Sequence, residues 1–120
     1  MLEAGRRCRA QPAPPWVIYE ALTEPNRDPR RRWLTLLDDE VEPAILESEE
    51  PHMVVWSSLW SKRPDARLRF DLPIGPSGQG TDLCWTLTVD EPMPAPALLG
   101  HMRMRINELI NANLRYTFGQ

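Results

Sequence analysis

The sequence predicts an α+β domain. An antiparallel sheet is covered on its packed face by one long C-terminal helix, with two short helices near the N-terminus. Three observations predict it. The segments "ARLRFDL" and "TDLCWTLTVD" alternate apolar and polar side chains, the period of a strand with one face buried and one face wet. Residues 95–116 repeat their apolar side chains at helical spacing over several turns. Two proline-led segments before residue 40 carry shorter helical patterns. The 120 residues fit a single domain spanning 1–120, long enough to bury one core without staples.

Residues 2–11 are polar and read as an edge strand. The helix in "WVIYEALTEP" starts at a proline suited to the first helical position and stops at Pro25, with Ile18 and Leu22 one turn apart. In "NRDPRRRWLTLLDD", Asp28 reads as an N-cap and Pro29 as the first helical residue. Trp33, Leu36 and Leu37 then have the spacing of a second short amphipathic helix.

After Asp39 the pattern becomes strand-like. "VEPAILESEE" holds one bent strand or two short ones, and "HMVVWSSLW" is a strand by its β-branched and aromatic content. Its two tryptophans, four apart, share one strand face with Val54 and Ser58. That face is expected to point inward, because indoles are the larger apolar payload. In "ARLRFDL", Leu68, Phe70 and Leu72 share a face; in "TDLCWTLTVD", Leu83, Trp85, Leu87 and Val89 do. "PIGPSGQG" between them is a turn. On the last helix Leu98, Leu99, Met102, Ile106, Leu109, Ile110 and Tyr116 form one stripe. Asn107 and Asn111 lie opposite, and Asn113 sits within the stripe.

This order resembles the helix-grip, or START-like (SRPBCC), superfamily, which includes the Bet v 1 allergens, polyketide cyclases and activators of the Hsp90 ATPase. The residues carrying the resemblance are "APPWVIYEALTEPNR" and "RRWLTLL", the strands "VVWSSLW" and "LCWTLTV", and finally "LGHMRMRINELINANLRYTFGQ". It implies a curved sheet wrapped around the C-terminal helix, with an apolar cavity between them. The expected ligand-binding residues are Trp56, Ser58, Trp60, Phe70, Trp85, Leu87, Met102, Arg105, Ile106, Leu109 and Asn113. The expected function is binding of a small hydrophobic molecule. The alternatives are a cyclase or dehydratase using the same cavity, and a protein-binding regulator like the Hsp90 activators. Each inward tryptophan also has the plain reading of core, Asn113 that of a satisfied buried amide, and Arg105 that of a side chain reaching solvent.

Other classes find little support. The net charge of −3 gives no basic field for nucleic acid or anionic membrane, and "RDPRRRW" is a basic cluster too small to change that. No apolar run approaches the roughly 20 residues of a membrane span. "MLEAGRRCRAQPAPP" lacks the apolar core of a secretory signal, so a cytoplasmic location is expected. "GPSGQGT" lacks the lysine of a phosphate-binding loop and the strand–helix setting of a nucleophile elbow. His52, His101, Cys8 and Cys84 show no zinc spacing, and no nucleophile is paired with a base, so no catalytic residue, metal or cofactor is expected. Cys8 and Cys84 are read as a reduced pair, with one disulfide as the alternative. With Trp56 and Trp60 inward, Met53, Val55 and Leu59 would form an apolar outer patch, which predicts a homodimer through the outer sheet face.

Overall fold

The structure, a computed structural model, describes residues 1–119. The chain runs β1 (Leu2–Gln11), α1 (Pro15–Thr23), β2 (Ile45–Glu49), β3 (Met53–Trp56), β4 (Arg67–Asp71), β5 (Thr81–Val89) and α2 (Pro96–Asn107). The last helix continues through a π-helical segment, Glu108–Leu114, into a final turn, α3 (Arg115–Phe118). The five strands form one antiparallel sheet in the order β1-β5-β4-β3-β2. Successive strands from β2 to β5 are neighbours, while β1 returns to the far edge. The polar N-terminal segment is therefore a full edge strand.

The register sorts the side chains as the alternation predicts. Trp85, Phe70 and Val54 face one another across β5, β4 and β3, as do Leu87, Leu68 and Trp56 in the next row. These side chains join Ile18, Leu22, Met102, Ile106, Leu109, Ile110 and Leu114 in one buried cluster between the sheet and the helices. On the opposite face, Cys8, Cys84, Asp71, Met53 and Glu49 lie in one row. Cys8 and Cys84 stand directly opposite each other and are joined as a disulfide. This corrects the expected reduced pair. No helix among the described residues is long and apolar enough to cross a membrane.

The second N-terminal helix is absent. Residues 24–44 run as turns and extended chain. Asp28 does act as a cap: its carboxylate accepts from the Arg30 N–H at 2.9 Å, and its carbonyl accepts from Arg31 N–H at 3.0 Å. The turn stops there because Trp33 is drawn into the core, stacked on Trp56 with ring centroids 6.0 Å apart. Burial of the Trp33 indole, with Leu34 beside it, outweighs a helix carrying three arginines, and Leu36 and Leu37, the rest of its expected stripe, stay exposed.

The strand in "HMVVWSSLW" also ends early, at Trp56. Ser58 closes a tight turn in which its hydroxyl accepts from Trp60 N–H and donates to Trp60 carbonyl, both at 3.0 Å. Leu59 is therefore off the strand and only 1% exposed, and Met53, on the outer face, is covered to 7%. The apolar outer patch expected of Met53, Val55 and Leu59 does not form: Val55 is half-buried and its cross-strand neighbours there are Arg69 and Glu47.

A charged staple holds the connections at the far end of the sheet. Arg63 is paired with Asp65 at 2.8 Å and also donates to the carbonyls of Asp90 and Pro92. Asp65 accepts from the Asp90 N–H as well. The Arg63 guanidinium, helped by the backbone donors, holds the Asp65 carboxyl well below the usual carboxylate range. A depressed carboxyl adds stability above its unfolded value of 3.8 and loses it as pH falls toward the folded value. The protein should therefore lose about 1–2 kcal/mol from this site between roughly pH 5 and pH 2. Urea melts across that range should show the loss in the wild type and a reduced loss in Asp65→Asn. Equal slopes in the two proteins would refute the assignment.

Candidate functional site

The expected site splits into three parts. The first is apolar. Trp56, Phe70, Trp85, Leu87, Met102, Ile106 and Leu109 are all buried in the core, and so is Trp60, though beyond the end of β3 and not on its face as expected. Among them, Phe70 meets Trp56 edge-on, with centroids 4.8 Å apart, and Trp33 stacks on the same indole. The Trp56 indole N–H is committed to the Leu22 carbonyl at 2.9 Å, which ties β3 to the end of α1. Ser58, expected in a pocket wall, is occupied by its own turn. Two other indole N–H groups, those of Trp33 and Trp60, are buried with no hydrogen-bond acceptor among the described residues.

The second part is charged, and sequence reasoning found only half of it. Arg105, expected to reach solvent or to anchor an acidic ligand, is only 3% exposed at its side chain. Its Nε and Nη2 bind the two carboxylate oxygens of Glu40, each at 2.8 Å. A second Nη2 bond goes to the Thr35 carbonyl at 2.8 Å, and Nη1 pairs with Glu108. Glu40 also accepts from the Leu37 N–H at 2.9 Å. The fork-to-fork geometry keeps the guanidinium charged, and Glu40 raises its pKa further. This pair clamps the 35–40 loop onto the last helix. The Arg105 donors are directed to protein partners.

Asp39 and His101 flank the clamp, with His101 Nε2 3.4 Å from Asp39. With Glu40 they form a cluster whose possible ligand atoms lie within 4.8 Å of one another. Both Glu40 oxygens are already bonded to Arg105, and a guanidinium beside the cluster opposes a cation. The residues present do not suit a metal ion.

The third part is an amide chain inside the helix–sheet seam, which the sequence pattern misplaced. Trp85 Nε1 donates to Asn107 Oδ1 at 3.1 Å, and Asn111 Nδ2 donates to the same oxygen at 3.0 Å. Gln11 Nε2 donates to Asn111 Oδ1 at 3.2 Å, which links β1 to the helix. The π-helical segment explains the shift. Its wider turn delays the phase of every later residue relative to 100° per residue. Asn111 becomes 9% exposed where the stripe predicted it outside, and Tyr116, predicted inside, is exposed. Asn113 leaves the stripe too. It is half-buried, and its amide donates to Trp33 carbonyl and Thr35 hydroxyl at 3.3 Å, holding the same loop that Arg105 clamps. No feature of the sequence pattern marks a π segment, although three asparagines in seven residues, all able to bond backbone or one another, were a signal of polar contacts there.

No protein-family model and no curated protein sequence matches the chain. Solved structures do. The Aha1 dimer from Colwellia psychrerythraea, a solution structure, is 14% identical and superposes with a TM-score of 0.74, covering 99% of this chain and 97% of that one. The solution structure of CalU16 from Micromonospora echinospora is 19% identical with a TM-score of 0.69, over 94% of this chain and 64% of that one. A crystal structure of a protein from Mesorhizobium loti is 18% identical with a TM-score of 0.67, over 94% of both chains. At these identities the likeness is one of fold. The sheet order, the buried face and the long C-terminal helix agree with it, and the chain has the helix-grip fold.

Proposed function

We propose that this chain is a protein-binding module whose interior serves stability, in preference to a carrier of an apolar ligand. One observation carries the reading. The side chains that would line a ligand cavity, Trp56 and Phe70 foremost, are packed against one another and against Trp33. The polar residues that would orient a ligand are engaged elsewhere: Arg105 with Glu40, Asn113 with the 33–35 backbone and side chains, Ser58 with Trp60. A cyclase or dehydratase needs two converging groups free to move a proton, and these are tied down. The Aha1 neighbour was solved as a dimer, which is compatible with self-association here, though not through the outer sheet face as first expected.

A second reading, binding of a small hydrophobic molecule, draws support from the unpartnered indole N–H groups of Trp33 and Trp60. An apolar ligand bearing an acceptor would satisfy them. The two readings separate in one measurement. Titrated with 1-anilinonaphthalene-8-sulfonate, the folded protein should neither enhance the probe nor lose tryptophan emission. Saturable quenching at one probe per chain, or a small apolar molecule retained in native mass spectrometry, would replace the first reading by the second.

A further inference from the structure

The two edges of the sheet are in different states. On the β1 edge, the carbonyls of Ala4 and Ala10 accept from the guanidinium Nε of Arg103 at 2.7 Å and of Arg115 at 3.2 Å. The C-terminal helix thus caps that edge with its own side chains. Gly5 makes the approach possible, since a Cβ there would stand 3.1 Å from Arg103 and 3.2 Å from Trp85.

The β2 edge has no such cover among the described residues. All five residues, Ile45–Glu49, are exposed, including Ile45 at 39% and Leu46 at 49%. The backbone direction follows from the ladder. Leu72 N–H donates to the His52 carbonyl at 2.9 Å, so His52, Val54 and Trp56 turn their backbone groups to β4, and Met53 and Val55 turn theirs to β2. Glu47 and Glu49, opposite Val55 and Met53, therefore bond to β3, and Ser48 presents its N–H and carbonyl outward. The side chains alternate as well. Glu47 and Glu49 share the outer face with Val55 and Met53 and Ser48 lies on the side of Val54, while a register shift between Ile45 and Glu47 brings Ile45 opposite Trp56, to the same side as Ser48.

The charge is one-sided. Between Asp38 and Glu50 the sequence has seven acidic residues and no basic one. Asp39, Glu40 and Glu42 face His101, Arg105 and Asn26, whereas Glu47, Glu49 and Glu50 make no ion pair among the described residues. Arg69, on which the charges of Glu47 and Glu49 act, is paired with Asp71 at 3.1 Å.

Acidic side chains on an edge also guard against self-pairing, and that duty bears on the occupant. A second copy joined β2 to β2 would oppose glutamates to glutamates, and one joined through β1 would meet an edge already capped by arginines. Deepening the protein-binding reading, we propose that β2 is a docking edge for an extended basic segment of another protein. The segment adds a sixth strand, its Lys or Arg side chains over Glu47 and Glu49 and its apolar side chains over Ser48 and Ile45. Main-chain bonds to Ser48 supply the attachment, and the alternation selects the sequence.

The test uses the whole chain labelled with nitrogen-15 and the peptide acetyl-Lys-Val-Lys-Val-Lys-Val-amide, followed by amide shifts. Saturable changes centred on Ile45–Glu49 are expected. Ser48→Pro, which removes an outward N–H and leaves the β3 bonds, should weaken binding about tenfold, the equivalent of one lost backbone hydrogen bond. Glu47→Lys with Glu49→Lys should abolish it, and the glutamate version of the peptide should not bind the wild type. Both variants should keep the wild-type melting temperature within a few degrees. Shifts spread over all acidic surfaces, or binding unaffected by Ser48→Pro, would reduce the effect to unspecific charge attraction and overturn the docking edge. So would the absence of saturation. Because the interior probe is a separate measurement, a silent β2 with a closed interior refutes only the edge, and an interior that takes up the probe refutes the broader reading.

Discussion

Glu40→Ala should destabilise the protein by about 3–5 kcal/mol, among the largest effects of any polar substitution in the chain. The substitution leaves the Arg105 guanidinium 3% exposed, with Nε and one Nη2 bond lacking their acceptor. Glu108 alone remains as a counter-charge, and its side chain is half exposed. A buried cation without its partner costs far more than the pair gains when intact, because the pair has already met its desolvation penalty. The double variant Glu40→Leu, Arg105→Leu removes both charges and should recover most of the loss. Chemical denaturation of the two proteins checks the pair. A single-variant cost below about 1 kcal/mol would mean that Arg105 reaches water readily and that the clamp is a surface contact.

The clamp also shows where the sequence could and could not be read. Arg105 was visible as a charged residue beside an apolar stripe. Its partner was not, because Glu40 lies 65 residues away in a loop whose path depends on Trp33. The strands β4 and β5 were legible since alternation is a local signal, and their register follows from which face is buried. The helix expected around Trp33 had the correct cap and the correct spacing. It failed because both signals are local, while stacking of Trp33 on Trp56 is a tertiary contact that outweighs them. The Cys8–Cys84 bond was hidden for the same reason: its pairing is a property of the β1–β5 register, which a polar edge strand scarcely encodes. Asn111 and Asn113 exchanged places through a change of helical phase in one segment, beyond the reach of a fixed angle per residue.

The apolar part of the site was the most legible, and it gives the second large prediction. Trp56→Ala should cost about 3–5 kcal/mol, and Trp56→Phe roughly half of that. The indole is fully buried against Trp33 and Phe70, and its N–H holds the end of α1 through the Leu22 carbonyl. Truncation removes the packing of both rings, leaves that carbonyl without its donor, and opens a space that neighbouring side chains close only in part. Such a space is apolar and should take a small aromatic molecule. Added indole should therefore raise the melting temperature of Trp56→Ala in a concentration-dependent way and leave the wild type unchanged. The contrast matters for function, because both candidate readings share the same fold and differ in whether this volume is occupied by the protein's own side chains. If indole raises the melting temperature of the wild type as well, the interior already holds room for a ligand, and the packed-core basis of the protein-binding reading is lost.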